Sequence, residues 1–141
     1  MNLKLVTLAG TKIDEDAYEV IIPTEAGDIA VFPSHERLVT LAVGGVITVR
    51  KKKTDIDDQL EYFAISGGVV EIDGDSVRIL VDEADHGADI IEAETKKALD
   101  RALKLRDEAV DQIELEKASA LVDRHAVRLK VADLQRRRRR H

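Results

Sequence analysis

Apolar and polar residues alternate in short runs over the first 85 residues, and then the period changes. Residues 3–8 largely alternate, as a half-buried strand does. Tyr18-Glu19-Val20-Ile21-Ile22 reads as a second strand, closed by Pro23. Short apolar runs follow at residues 29–32 and 38–43. Val46-Ile47-Thr48-Val49 then runs into Arg50-Lys51-Lys52-Lys53, a basic run that meets Asp55, Asp57 and Asp58 and is predicted to be a solvated hairpin end. Tyr62-Phe63-Ala64-Ile65, Val69-Val70-Glu71-Ile72 and residues 77–81 supply the last strands. Asp73-Gly74 lies between the final two and signals a tight turn, because such a turn needs positive φ. Ser66-Gly67-Gly68 also sits between strands and predicts a bulge or tight junction. Short strands at this spacing, with no helix between them, predict a sandwich or barrel instead of a parallel sheet.

All eight glycines and both prolines lie within the first 87 residues. Beyond them Ala, Leu, Glu, Lys and Arg dominate, and these favour helix. Ala98, Ala102, Leu105, Ala109 and Ile113 recur at steps of three and four, as do Ala118, Val122, His125 and Leu129. The polar interval 111–116 leaves room for a turn, so a two-helix hairpin competes with extended helices. The fold class is therefore α+β: an N-terminal antiparallel β sandwich over residues 1–86, then a C-terminal helical unit over 87–141. Alanine-rich seams bury little area, and at about 25 cal/mol per Å2 they hold weakly. A weakly held helical unit is a plausible switch.

Composition narrows the chemistry. The chain lacks cysteine and tryptophan, so disulfides and thiolate catalysis are excluded and the core must be Val, Ile and Leu. The N-terminus has neither a signal-peptide nor a transit-peptide character, and no apolar run approaches the ~20 residues of a membrane span. A soluble cytoplasmic protein is expected. The net charge of −6 hides an asymmetry. Residues 1–85 carry 17 acids and 8 bases, whereas residues 117–141 carry nine bases and two acids. A basic tail on an acidic body points to an acidic partner for the tail. No phosphate loop, dinucleotide fingerprint or nucleophile elbow occurs, and His35, His86, His125 and His141 lack metal-ligand spacing. Asp14-Glu15-Asp16 and Asp73-Gly74-Asp75 read as turns or hairpin ends instead of calcium ligands, and His125 as a packed residue. The pattern favours a binding or regulatory subunit over an enzyme, with no cofactor.

Gly27-Asp28-Ile29-Ala30-Val31-Phe32-Pro33-Ser34-His35-Glu36-Arg37-Leu38-Val39-Thr40 closely resembles the most recognisable stretch of the epsilon subunit of bacterial F-type ATP synthase. That family shows Gly-acid-Leu-Gly-x-x-Pro-Gly-His-x-x-Leu-x-Thr, with a further glycine matched here by Gly45. Ser66-Gly67-Gly68-Val69-Val70-Glu71-Ile72 resembles its second hallmark, residues 77–84 its third, and Leu129-Lys130-Val131-Ala132-Asp133-Leu134 its final helix. Order and spacing agree across residues 3–85. Two family glycines are replaced, by Ala30 and Ser34, which is expected to alter loop angles. The Ile-Asp-x-x-Arg-Ala motif through which some members bind ATP aligns with Ile91-Glu92-Ala93-Glu94-Thr95-Lys96. Thr95 replaces its arginine, so ATP binding is not carried over. The closing arginine run exceeds the usual family tail.

The resemblance implies a non-catalytic subunit at the cytoplasmic face of the bacterial membrane, held there only through a proton- or sodium-translocating ATP synthase. It matches Asp28 and His35 to the loop facing the c-ring. It implies that the sandwich docks on the gamma subunit, the two forming the rotating central stalk. It matches Arg124, Arg128 and Lys130 to the helix that can reach acidic segments of the alpha/beta catalytic head, where extension blocks hydrolysis. A nucleic-acid- or membrane-surface-binding protein is the alternative for the basic tail, but the acidic body and scarcity of stacking aromatics oppose nucleic acid.

Overall fold

The computed structural model describes residues 1–139; of the closing arginine run, Arg140 lies outside the described residues, as does His141. Ten strands form one continuous sheet: β1 (Asn2–Thr7), β2 (Gly10–Asp16), β3 (Glu19–Thr24), β4 (Gly27–Val31), β5 (His35–Ala42), β6 (Gly45–Arg50), β7 (Glu61–Ile65), β8 (Gly68–Gly74), β9 (Ser76–Val81) and β10 (Ala84–His86). Their order is β10-β7-β6-β3-β5-β8-β9-β1-β2, with β4 added on β3. Between β3 and β5 the ladder narrows to one pair, Thr24 with Ala42. There the sheet folds over into the two layers of a sandwich. Leu3, Leu5, Val20, Ile22, Ile47, Ile72 and Ile79 fill the space between them and are at most 1% exposed. They come from alternate positions of their strands, so the period-2 pattern places them on one face.

Several local expectations change. Every strand pair is antiparallel except β1 with β9, which run parallel from Asn2 beside Ser76 to Val6 beside Leu80. Parallel pairing joins segments distant in sequence, so no local signal announces it. Pro23 does not close its strand; it lies inside β3. The ladder from β3 to β6 covers only Glu19 to Ile21, so Pro23 interrupts no bond on that side. Asp14-Glu15-Asp16 is not a turn but the end of edge strand β2, in which Ile13 alone is buried. The basic run is only partly solvated. Arg50 pairs with Glu19 at 3.1 Å and Asp57 at 2.9 Å, and Lys51 with Glu61 at 3.2 Å. Gly74 has φ +55° in the β8–β9 turn, as the Asp-Gly signal requires.

A 3-10 turn over Gly87–Asp89 leads into α1 (Glu92–Asp107), and α2 (Gln112–Arg139) returns antiparallel along it as a hairpin. The turn falls at residues 108–111, at the start of the polar interval. Asp111 Oδ1 accepts the Glu114 N–H at 2.8 Å and Glu114 Oε2 accepts the Val110 N–H at 3.1 Å, so the acids cap α2 instead of breaking it. Ile113 therefore belongs to α2, is 66% exposed, and does not extend the α1 stripe. Ala102, Ala118 and Val122 are the buried residues of the helical seam. Lower on α2, Val131 and Ala132 pack with Ala64 and Ile90, flanked by Val46, Tyr62 and Val127. Among the described residues, no helix is long and apolar enough to cross a membrane.

Candidate interaction sites

The sandwich has two ends, set by strand pairing. His35 pairs with Gly74, and the Ser34 N–H donates to the Gly74 carbonyl at 3.1 Å. Tyr18 packs edge-on against Phe32 and donates its backbone N–H to Arg50. The turn before His35, the β8–β9 turn and the loop at 51–60 thus share one end. Ser34 stands at φ +67°, where the family has glycine. That is a left-handed angle, which glycine adopts freely and serine only with strain. Ala30 pairs with Ile21 inside β4, where no glycine is needed.

Asp28 is exposed and pairs with Pro23 near the opposite end of β4. The structure does not bring Asp28 and His35 into one loop. They mark the two ends of a ridge, β4 plus its following turn, on the order of 15–20 Å long by strand rise. β4 pairs only with β3, so its other edge is open along that length. The His35 ring nitrogen Nδ1 lies 2.7 Å from the Glu36 carbonyl.

The predicted head-contact residues lie on α2, which runs down the side of the sandwich. Arg124 Nη2 is 2.6 Å from Glu83 Oε2, in the β9–β10 loop. Arg128 Nε is 3.2 Å from Asp85 Oδ2 on β10, an ion pair by proximity because its N–H makes no directed hydrogen bond. Lys130 is exposed. Further along, Gln135 is buried against Gly87, and Arg138 Nε donates to the Asp58 carbonyl at 2.9 Å. Arg136 pairs with Glu92 at 3.4 Å. The arginine run therefore reaches the His35 end of the sandwich, and two of the three predicted head contacts are already engaged by the sandwich.

Two features escaped the sequence reading. Leu41, Val69, Leu80 and Val6 stand in register across β5, β8, β9 and β1, on the outer face. Leu41 is 59% exposed and its neighbour Val39 is 68% exposed. The signal was present: residues 38–43 are apolar on both strand faces but for Thr40, as when both faces of a strand are covered. The second is a cleft of 520 Å3 where the sheet edges β2 and β10 face each other, lined among others by Glu15, Lys51, Glu61 and His86. Lys51 bridges Glu15 and Glu61 there, and its hydrogen bond to Glu61 raises its pKa, so these charges answer one another. Among the described residues, no group of three or more His, Asp or Glu side chains is placed to hold a metal ion. Thr95, where the nucleotide motif has arginine, is buried in the first turn of α1.

Residues 1–87 match the family model described as ATP synthase, delta/epsilon chain, beta-sandwich domain. A chain of the Euglena gracilis mitochondrial ATP synthase, in a structure of OSCP/F1/c-ring in rotational state 1, superimposes with a TM-score of 0.76 at 21% identity, covering 92% of this chain and 79% of that one. A chain of the central stalk/c-ring of the Tetrahymena thermophila mitochondrial ATP synthase gives 0.61 at 14% identity, covering 96% of each. At these identities the two superpositions establish the shared fold.

Proposed function

The chain belongs to the ATP synthase delta/epsilon family, and from that membership we propose that it is an epsilon-type central-stalk subunit whose C-terminal helices regulate ATP hydrolysis. The sandwich, taken as residues 1–86, docks on gamma through the apolar row at Leu41, Val69 and Leu80. The ridge from Asp28 to His35 lies against the polar loops of the c-ring, so that ring rotation turns gamma. The subunit holds no catalytic residue for ATP chemistry and meets the membrane only through the complex. Residues 87–141 form the regulatory unit, and Arg124, Arg128 and Lys130 contact acidic segments of the catalytic head when the helices extend.

One observation carries the regulatory half. Arg124 and Arg128 pair with Glu83 and Asp85, so the charges needed by the head are masked while the hairpin is docked. Both ion pairs are partly exposed, and such pairs contribute about 0–1 kcal/mol each. The apolar contact beneath them is small, four buried residues: Ala64, Ile90, Val131 and Ala132. Docking is therefore weak enough for an acidic partner to compete with it. The same engagement disfavours the nucleic-acid reading, since Arg124 and Arg128 already face carboxylates of the sandwich.

Two measurements test this. Purification of the synthase from membranes should carry this chain with gamma and the c-ring; its absence from the complex would sink the assignment. The hinge offers a lock for the second. A Cβ at Gly87 would stand 3.1 Å from Gln135 Cβ, short of the roughly 3.5–4.5 Å disulfide spacing, so a small outward shift of α2 brings the pair into range. Gly87→Cys with Gln135→Cys, in a chain without native cysteine, should oxidise and hold the hairpin down. The locked enzyme should hydrolyse ATP faster, and reduction should restore the slower rate. Equal rates in both redox states would remove the regulatory role.

A further inference from the structure

His125 lies on α2 in line with Ala118 and Val122 of the helical seam, half-buried, with three arginines near it. Its Nδ1 is buried and has no hydrogen-bond partner. Arg124 and Arg128 flank it on α2, Arg101 approaches from α1, and Glu83 from the β9–β10 loop is the nearby carboxylate. Glu83 is already engaged by Arg124, and Asp85 on β10 by Arg128. Asp89 and Glu94 line the adjoining cleft together with Arg101 and Arg128. The two carboxylates on the sandwich side are thus taken by arginines, and Asp89 and Glu94 lie in the cleft beside Arg101 and Arg128. Burial, then Arg124, Arg128 and Arg101, hold the His125 pKa below its ordinary value, outweighing Glu83.

We propose that His125 is a proton-operated release for the hairpin: its neutral ring closes the seam, and protonation expels α2 from the sandwich. Protonation puts an N–H on the buried Nδ1, which has no acceptor, and a charge among three arginines, whereas in the released helix the imidazolium is hydrated. The sign follows. The group binds protons more weakly docked than released, so docking is complete above the released pKa of about 6.5 and weakens as pH falls below it. The docking equilibrium drops by up to about tenfold for each pH unit below that point. Acidification therefore frees Arg124 and Arg128 for another acidic surface. The consequence for hydrolysis rests on the regulatory reading above; the release itself does not.

The isolated full-length chain tests the release. Asp82→Cys and Ala120→Cys place a spin-label pair on the sandwich loop and on α2, both at exposed positions. The open fraction should rise as pH falls from 7.5 to 5.5, a range above the titration of ordinary carboxylates. His125→Leu and His125→Gln should each give a flat profile, and His125→Lys should stay open throughout. Proton NMR of the His125 ring, assigned by loss in the Gln variant, should show titration below that of a random-coil histidine. A parent without pH response, a Gln variant that keeps it, or a His125 titrating at or above 6.5 would overturn the proposal. Opening without any change in hydrolysis by the assembled enzyme would leave the proton release standing and remove the regulatory reading instead.

Discussion

Gly68 lies so close to the main chain of Leu80 that a Cβ at Gly68 would stand 2.0 Å from the Leu80 carbonyl oxygen. The same atom would meet Val81 Cγ1 at 2.8 Å. The Ser66-Gly67-Gly68 motif is thus a junction where β8 begins against β9, and glycine is required by contact instead of by φ. Gly68→Ala should destabilise the sandwich by about 3 kcal/mol, the upper part of the overpacking range. Urea unfolding of the two forms measures this; a loss within 0.5 kcal/mol, typical of surface changes, would show that β8 shifts freely.

Ser34 offers the opposite case. Its φ of +67° strains a residue bearing a Cβ, while its N–H is held by Gly74. Ser34→Gly should relieve that strain and stabilise the sandwich by about 0.5–1 kcal/mol, offset in part by the greater entropy of unfolded glycine. Thermal melts at matched pH decide it. A lower Tm for the glycine form would show that the serine stabilises the turn in another way.

The apolar row should matter for assembly and little for folding. Leu41→Asp and Leu80→Asp place charges on an exposed face, so each should change stability by about 0.5 kcal/mol or less. Binding to purified gamma should weaken by at least tenfold, as for an apolar anchor worth more than 1.4 kcal/mol. Titration calorimetry with gamma supplies the number. Undiminished affinity would move the gamma interface to another face.

Residues 1–86 should fold alone. The eighteen-residue main core lies within residues 3–84 and owes nothing to the helices. The truncated protein loses the small cluster around Ile90 and Val131, which leaves Ala64, Val46 and Tyr62 more exposed. It should still unfold cooperatively in urea and bind gamma. A molten fragment would join the helices to the folding unit.

The docked ion pairs can be separated from head contacts by reversing them. Arg124→Glu alone breaks the pair with Glu83 and also removes a proposed head contact. Arg124→Glu with Glu83→Arg restores the docked pair but not the head contact. The single variant should shift docking by up to about fivefold, the value of one exposed pair near 1 kcal/mol. The double variant should recover docking, seen by spin-label distance, while hydrolysis by the assembled enzyme stays raised. If the double variant recovers parental hydrolysis, docking alone sets the rate and Arg124 does not touch the head.

What the sequence determined by itself was the alternation, the turns and the change of period. Alternation places Leu3, Leu5, Val20, Ile22 and Ile79 on buried faces because a strand's side chains repeat every two residues. Asp73-Gly74 names its own turn because positive φ is a local property. The loss of glycine and proline after Gly87 leaves helix as the economical local state. The family pattern around Pro33 and His35 was legible for the same reason: it is contiguous.

The tertiary structure alone decided which distant segments meet. β1 joins β9 in parallel, Arg124 meets Glu83 across 41 positions, and the Arg138 side chain reaches Asp58 across 80. Edge strand β2 went unread because its exposed positions are polar and one buried Ile13 makes no period. The resemblance matched Asp28 and His35 to one loop, yet the apolar run between them is strand β4 and holds them apart. The basic tail showed its charge but not its partner. Charge is summed from composition, whereas pairing depends on where a 28-residue helix comes to lie against the sandwich.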